Sequence, residues 1–266
     1  MSVPVAISAI ARLPKDYEVP DELARDLRRA DAFIQMAVVS SFTAVSKLSS
    51  ENLPPEEVGV FIGTAFGPLE TNFESLGSLI DDGEGQISPT LFSHSVYNAA
   101  AGYVARLLDI RGPAMTITNY GWPFLIALEE ARLAVASRRI GRAVVVGVET
   151  YSELLADAYR RFFGVKETPW QRSAVAWVLE AAEEASGNCR LAGIKIREFE
   201  ADPADLLTRR DETLTGSGIN PELPRQPLAY VEALSEAVEF FADSSKSEAA
   251  LSLKAPFGEA EIQLSR

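Results

Sequence analysis

The run RAVVVGVE (142–149) carries one basic and one acidic residue at its ends and only Ala, Val and Gly between them. A strand with no polar face has to be covered on both sides, which calls for helices above and below a sheet. VGVFIGTAFG (58–67) is a second buried strand, running into a glycine turn. Helical spacing of apolar residues is read over 21–47, 68–82, 95–109, 123–139 and 151–164, with shorter strands at 3–12 and 114–118. The prolines of ENLPPEE punctuate the first helical region, and GEGQISPT reads as a loop. Beyond residue 165 the pattern thins. RSAVAWVLEAAEEA (172–185) predicts a strand and a short helix, and CRLAGIKIREFEA (189–201) alternates like a strand. Residues 212–227 look least ordered, 228–243 form an amphipathic helix, and AALSLKAPFGEAEIQLS reads as a closing pair of strands. Strands alternating with helices give an α/β fold.

Composition removes several classes of function. The net charge is −13, whereas phosphate backbones need a basic face, so nucleic acid is excluded as a partner. The longest apolar runs are strand-length, well short of the roughly 20 residues of a membrane-spanning helix. No basic, apolar leader is visible at the amino end, and the expected location is the cytoplasm. One cysteine, Cys189, and one histidine, His94, rule out an intrachain disulfide and a Cys/His zinc site. Neither a metal nor a cofactor is expected.

GPAMTITNYGWPFLIALEEA (112–131) reads as a strand, a sharp turn and a buried helix. In many α/β enzymes such a turn seats the nucleophile, because the helix start offers unpaired N–H groups and a positive dipole end. Here the tip is Asn119-Tyr120-Gly121-Trp122, and Gly121 has no side chain to deprotonate. GTAFG (63–67) lacks the glycine spacing of a dinucleotide or phosphate loop. His94, in LFSHSVYN just ahead of the helix read from 95, has no evident nucleophile to serve. Cys189 lies in SGNCR with no base beside it.

Several stretches together resemble the amino-terminal half of the β-ketoacyl-acyl carrier protein synthases, which have the thiolase fold. They are RRADAFIQMAVVSSFTAVSK, VGVFIGTAFGPLETNFESL, ISPTLFSHSVYNAAAGYVARLLDIRGPAMTIT and AVVVGVETY, in that order. FSHSVYNAAAG is similar to the short, chain-length-factor-related members. The resemblance implies a layered αβαβα fold, with a complete half over 1–165 and a shortened thiolase-like half over 166–266, as one compact unit. It places the family's catalytic cysteine at Gly121. No histidine follows residue 94, whereas the family uses two histidines, or a His/Asn pair, from its carboxy-terminal half. KAPFGEAEIQLSR faintly resembles the family's glycine-rich turn and last strand.

The resemblance therefore implies a non-catalytic, chain-length-factor-like subunit paired with an active ketosynthase in fatty acid, polyene or polyketide biosynthesis. Acyl carrier protein would be met only indirectly, since an acidic chain repels it. Pairing would run through the strand 114–118. His94, Ser95, Asn98, Asn119, Tyr120 and Trp122 would lie at the pocket or interface, with Tyr120 and Trp122 setting a tunnel floor. Two alternatives stand beside this: a homodimer holding an apolar or acyl ligand, and a divergent acyl-processing enzyme using His94.

Overall fold

The structure is a computed structural model that describes residues 3–49, 53–86, 88–150, 152–164, 171–183, 189–208, 211–216, 223 and 226–266. The described strands are β1 (Val5–Arg12), β2 (Val58–Thr64), β3 (Ala114–Thr118), β4 (Arg142–Glu149), β5 (Ser173–Ala181), β6 (Cys189–Glu198), β7 (Thr213–Gly216), β8 (Glu248–Ala255) and β9 (Gly258–Ser265). The helices are α1 (Asp21–Leu27), α2 (Ala32–Val45), α3 (Leu69–Asp82), α4 (Pro89–His94), α5 (Ala99–Leu107), α6 (Pro123–Ala136), α7 (Glu153–Phe163), α8 (Pro203–Thr208) and α9 (Ala229–Asp243).

The strands run in the order β3-β2-β4-β5-β1-β6-β9-β8-β7. β2 is parallel to both β3 and β4, and the remaining pairings are antiparallel. β5, which follows residue 165, is bonded between β4 and β1. Among the described residues the first five strands join the last four through two residue pairs, Ala6↔Arg190 and Ile7↔Cys189.

The sequence explains the layering. Every residue of β4 and of β5 is buried, as strands covered on both faces require. On one face lies a core of α2, α5 and the side chains Val60, Ile62, Val144, Val146, Ala176 and Val178. The other face, with Phe61, Val145 and Trp177, packs on α6 and α9, which also receive Leu191, Leu251, Leu253 and Ile262 from the second half. Two buried polar bonds fasten α9: Trp177 Nε1 donates to Ser235 Oγ at 2.9 Å, and Ser173 Oγ donates to Glu232 at 2.6 Å.

The second half is one layer short. Its last four strands, β6 to β9, contribute to the inner core and not to the other. Alternate residues on the opposite face are polar, and they meet across strands as Lys195↔Glu261↔Ser252 and Arg197↔Glu259↔Lys254. Among the described residues the thiolase-like layering is therefore α-β-α-β, and the expected shortening takes the form of an uncovered, charged sheet face.

Several local expectations change. The helical region 21–47 is two helices, because Asp31 takes extended geometry and caps α2 by accepting from the Ile34 N–H at 2.8 Å. The helix read from 95 starts at Ala99, and a separate short helix, α4, precedes it behind Ser88 and Pro89. β7 lies in the stretch read as least ordered, and α8 follows β6. Residues 184–185 of the short helix expected after β5 fall outside the described residues.

β2 and the start of α6 approach closely at Gly63, where a Cβ would stand 2.5 Å from the Pro123 carbonyl oxygen. Gly63→Ala should lower unfolding stability by about 1–3 kcal/mol, the usual range for overpacking, as measured by denaturant titration.

Candidate functional site at the strand ends

Three parallel strands end side by side. Thr64 of β2 is level with Thr118 of β3, and Gly63 with Gly147 of β4. Carboxyl ends of parallel strands are where ligand crevices form in α/β proteins.

Glu149 closes β4 and is 3% exposed. Its carboxylate accepts from the Thr64 hydroxyl at 3.0 Å, from the Ala65 N–H, and from the Phe66 N–H at 3.2 Å. Thr64 Oγ1 in turn accepts from the Gly67 N–H at 2.8 Å. Gly67 needs its left-handed φ of 59°, and a Cβ there would strike the Tyr97 ring at 2.6 Å. The turn after β2 is thus fixed by one buried acid. Sequence reading missed Glu149, although an acid ending an apolar strand was the available signal.

The second turn, after β3, is fixed differently. Asn119 Oδ1 accepts from the Gly121 N–H at 2.7 Å and the Trp122 N–H at 3.1 Å. Asn119 Nδ2 donates to Glu198 Oε1 at 2.9 Å. Pro123 has no N–H, and the Phe124 N–H donates to the Tyr230 hydroxyl at 3.1 Å. Trp122 is 1% exposed, donates from Nε1 to Glu212 at 2.8 Å, and stacks obliquely on Phe257 with ring centroids 5.2 Å apart. A Cβ on Gly121 would lie 3.0 Å from Asn119 Oδ1 and 3.3 Å from the Phe257 ring. A cavity of about 180 Å³ beside the turn is lined by Asn119, Tyr120, Gly121, Glu198, Phe199 and Phe257.

The residues singled out from sequence therefore separate. Asn119, Tyr120 and Gly121 share the cavity, whereas Trp122 sits in the core of its own chain. Tyr120 is 54% exposed, with its ring 5.5 Å from that of Phe66. Burial, and then Tyr120 and Glu149, raise the pKa of the half-exposed Tyr97 hydroxyl. His94 is buried, with Nε2 3.0 Å from the Tyr103 hydroxyl and the two rings edge to face. It ends α4 instead of standing directly before the helix read from 95, so the dipole end beside it is the negative one. Ser95 caps α4 and donates to the Phe92 carbonyl at 2.8 Å, and Asn98 is exposed at the start of α5. No cluster of three metal-ligating side chains occurs among the described residues.

Cys189 lies in β6, 3% exposed, and burial pushes its thiol up to about 11, opposed by Arg266. In the unfolded chain the thiol ionises lower, so the buried thiol stabilises the fold below that point and the contribution is lost as pH rises toward 11. Cys189→Ala should flatten the fall in stability between about pH 9 and 11, as read from melting temperatures across that window.

The thiolase-like layers and the strand–turn–helix at residue 121 define a condensing-enzyme scaffold. Residues 16–161 match the family described as "Beta-ketoacyl synthase, N-terminal domain", and the chain belongs to that family. The "3-oxoacyl-[acyl-carrier-protein] synthase 2" of Vibrio harveyi is 27% identical over 184 residues, 64% of this chain and 44% of that protein. The protein of the same name from Synechocystis sp. is 33% identical over 102 residues, 37% of this chain and 24% of its own length. The chain thus spans less than half the length of these curated relatives.

Solved structures share the fold. A chain of the AntDE:AntF complex, a type II PKS acyl-carrier protein with its ketosynthase bound to the hexaketide, is 14% identical with a TM-score of 0.77, covering 100% of this chain and 99% of that one. A chain of the complex of ketosynthase ApeO with its chain length factor ApeC, from Xenorhabdus doucetiae, is 14% identical with a TM-score of 0.64, covering 99% and 100%. The ishigamide ketosynthase/chain length factor matches at 17% identity and a TM-score of 0.62, covering 77% of this chain and 71% of the other. Two of these solved chains are thus matched over nearly their whole length.

Proposed function

We propose that the chain is a non-catalytic ketosynthase-like subunit of the chain-length-factor kind. It pairs with an active ketosynthase in fatty acid, polyene or polyketide assembly. The observation that carries this reading is position 121. A glycine stands at the tip of the turn, fenced by Asn119 and Phe257, while the lone thiol is buried in β6. Without a thiolate at that tip there is no acyl-enzyme.

The pairing surface is the free edge of β3. β3 ends the sheet, and Ala114, Met115 and Thr118 are exposed along it. An uncovered strand edge with apolar side chains invites another strand. Exposed Val96 and Tyr97 precede α5, which packs on β3, and Tyr120 lies two residues beyond the end of β3. Two of the structural neighbours are ketosynthases with chain length factors, and one is a complex that includes a carrier protein. At −13 this chain repels an acidic carrier, so the basic docking surface would belong to the partner. Among the described residues no helix is long and apolar enough to cross a membrane.

Co-expression with a complete ketosynthase tests the proposal. The two chains should co-purify, and Met115→Lys should weaken the pair at least about tenfold while leaving the melting temperature unchanged, because like charges and desolvation penalise a lysine in an apolar interface. Tyr120→Ala should shift the product chain length. Trp122→Ala should instead cost about 3–5 kcal/mol of stability, as a buried aromatic does. Pairing insensitive to Met115→Lys, together with an unchanged product profile for Tyr120→Ala, would overturn the reading. A stable homodimer that ignores the ketosynthase would point to the ligand-holding alternative.

A further inference from the structure

The second half of the chain holds the turn after β3 from four separate places. Glu198 at the end of β6 receives the Asn119 carboxamide, and Glu212 ahead of β7 receives the Trp122 indole. Tyr230 on α9 receives the Phe124 N–H, and Phe257 between β8 and β9 stands against Gly121 and Trp122. Two backbone N–H groups converging on one oxygen is the arrangement that stabilises a developing oxyanion in acyl transfer. Here the oxygen is already supplied by Asn119, and its carboxamide is held in place by a carboxylate.

We infer that Asn119, held by Glu198, is a built-in stopper that occupies the donor pair at Gly121 and Trp122, so that the turn is closed to acyl chemistry independently of the missing nucleophile. Two consequences separate this from the mere absence of a thiol. A side chain at 121 crowds Asn119 Oδ1, which a Cβ would approach to 3.0 Å, a contact relieved by a shift of a few tenths of an ångström that leaves the carboxamide on its donors. A thiol introduced there also gains no help from the N–H groups, since both are spent on the carboxamide. The inference concerns this turn alone and stands whether or not the chain pairs with a ketosynthase.

The test is the alkylation rate of Gly121→Cys by iodoacetamide as a function of pH, alone and combined with Asn119→Ala or Glu198→Ala. Peptide mapping reads position 121 separately from buried Cys189 and from any thiol of a co-purified partner. Gly121→Cys alone should react no faster than an ordinary cysteine. Adding Asn119→Ala should lower the pH midpoint by about one unit and raise the rate at pH 7 by about tenfold, because freed helix-start donors favour a thiolate. Glu198→Ala, at an exposed residue, should give an intermediate gain and serves if the Asn119 variant fails to fold. Equal rates in Gly121→Cys and Gly121→Cys/Glu198→Ala, or a fast, acidic thiol in Gly121→Cys alone, would overturn the inference.

Discussion

The start of α6 is the constraint from which the rest of the molecule follows. α6 lies between two sheet halves, and Phe124, Leu125, Ala127, Leu128, Ala131 and Val135 are all fully enclosed. Its first turn, Pro123 to Leu125, is buried, so the N–H groups there cannot find water. Buried donors of that kind must be satisfied by the protein. Pro123 removes one donor, Asn119 takes two from the preceding residues, and Tyr230 takes the next. A ligand-binding helix start tolerates vacancy because substrate or water fills it. This one is filled from within, so the same bonds that seal the turn also let α6 be buried.

From β6 onward the second half backs that turn with Glu198, Tyr230 and Phe257 and gives up a layer. Its strands alternate between apolar residues facing α6 and α9 and charged residues facing outward, so the sheet needs no cover on its far side. Cross-strand pairs of opposite charge, such as Lys195 with Glu261 and Arg197 with Glu259, suit that face to water and contribute modestly to pairing. Arg197 Nη1 and the Glu259 carboxylate lie 3.3 Å apart, and both side chains are too exposed for this to count as more than a weak surface bridge. The inner face does the structural work, through contacts that reach back to the first half.

How much of this was legible depended on whether a signal was local. β4 announced itself by having no polar face, and β3 by its β-branched residues between Gly112-Pro113 and the turn. The position of Gly121 at a strand-to-helix turn was readable for the same reason. The boundary of α5 was not, because Pro89 and Ser88 started a separate helix that ends at His94 before α5 begins. Trp122 was misplaced for a different reason. Its size suggested a pocket wall, but the partner of its indole, Glu212, is ninety residues away in a stretch with no pattern of its own. Long-range polar pairs leave no periodicity to read. Glu198 and Tyr230 escaped notice on the same ground, each looking like one more polar residue on an alternating strand or an amphipathic helix.

The locked turn also bears on how the exposed edge of the sheet is held. β3 is five residues long and bonded on one side only, so by itself it is a weak platform. Its far end runs straight into Asn119, and its neighbour β2 runs into the turn clamped by Glu149. Each clamp fixes the backbone beneath one ring of the Phe66–Tyr120 pair, which bridges the two strand ends at the surface. Rigid aromatic groups presented in advance lose little entropy when a partner covers them. Both clamps therefore favour the same outcome: an exposed edge held in a single shape, with the adjoining aromatic pair aimed by the bonds behind it.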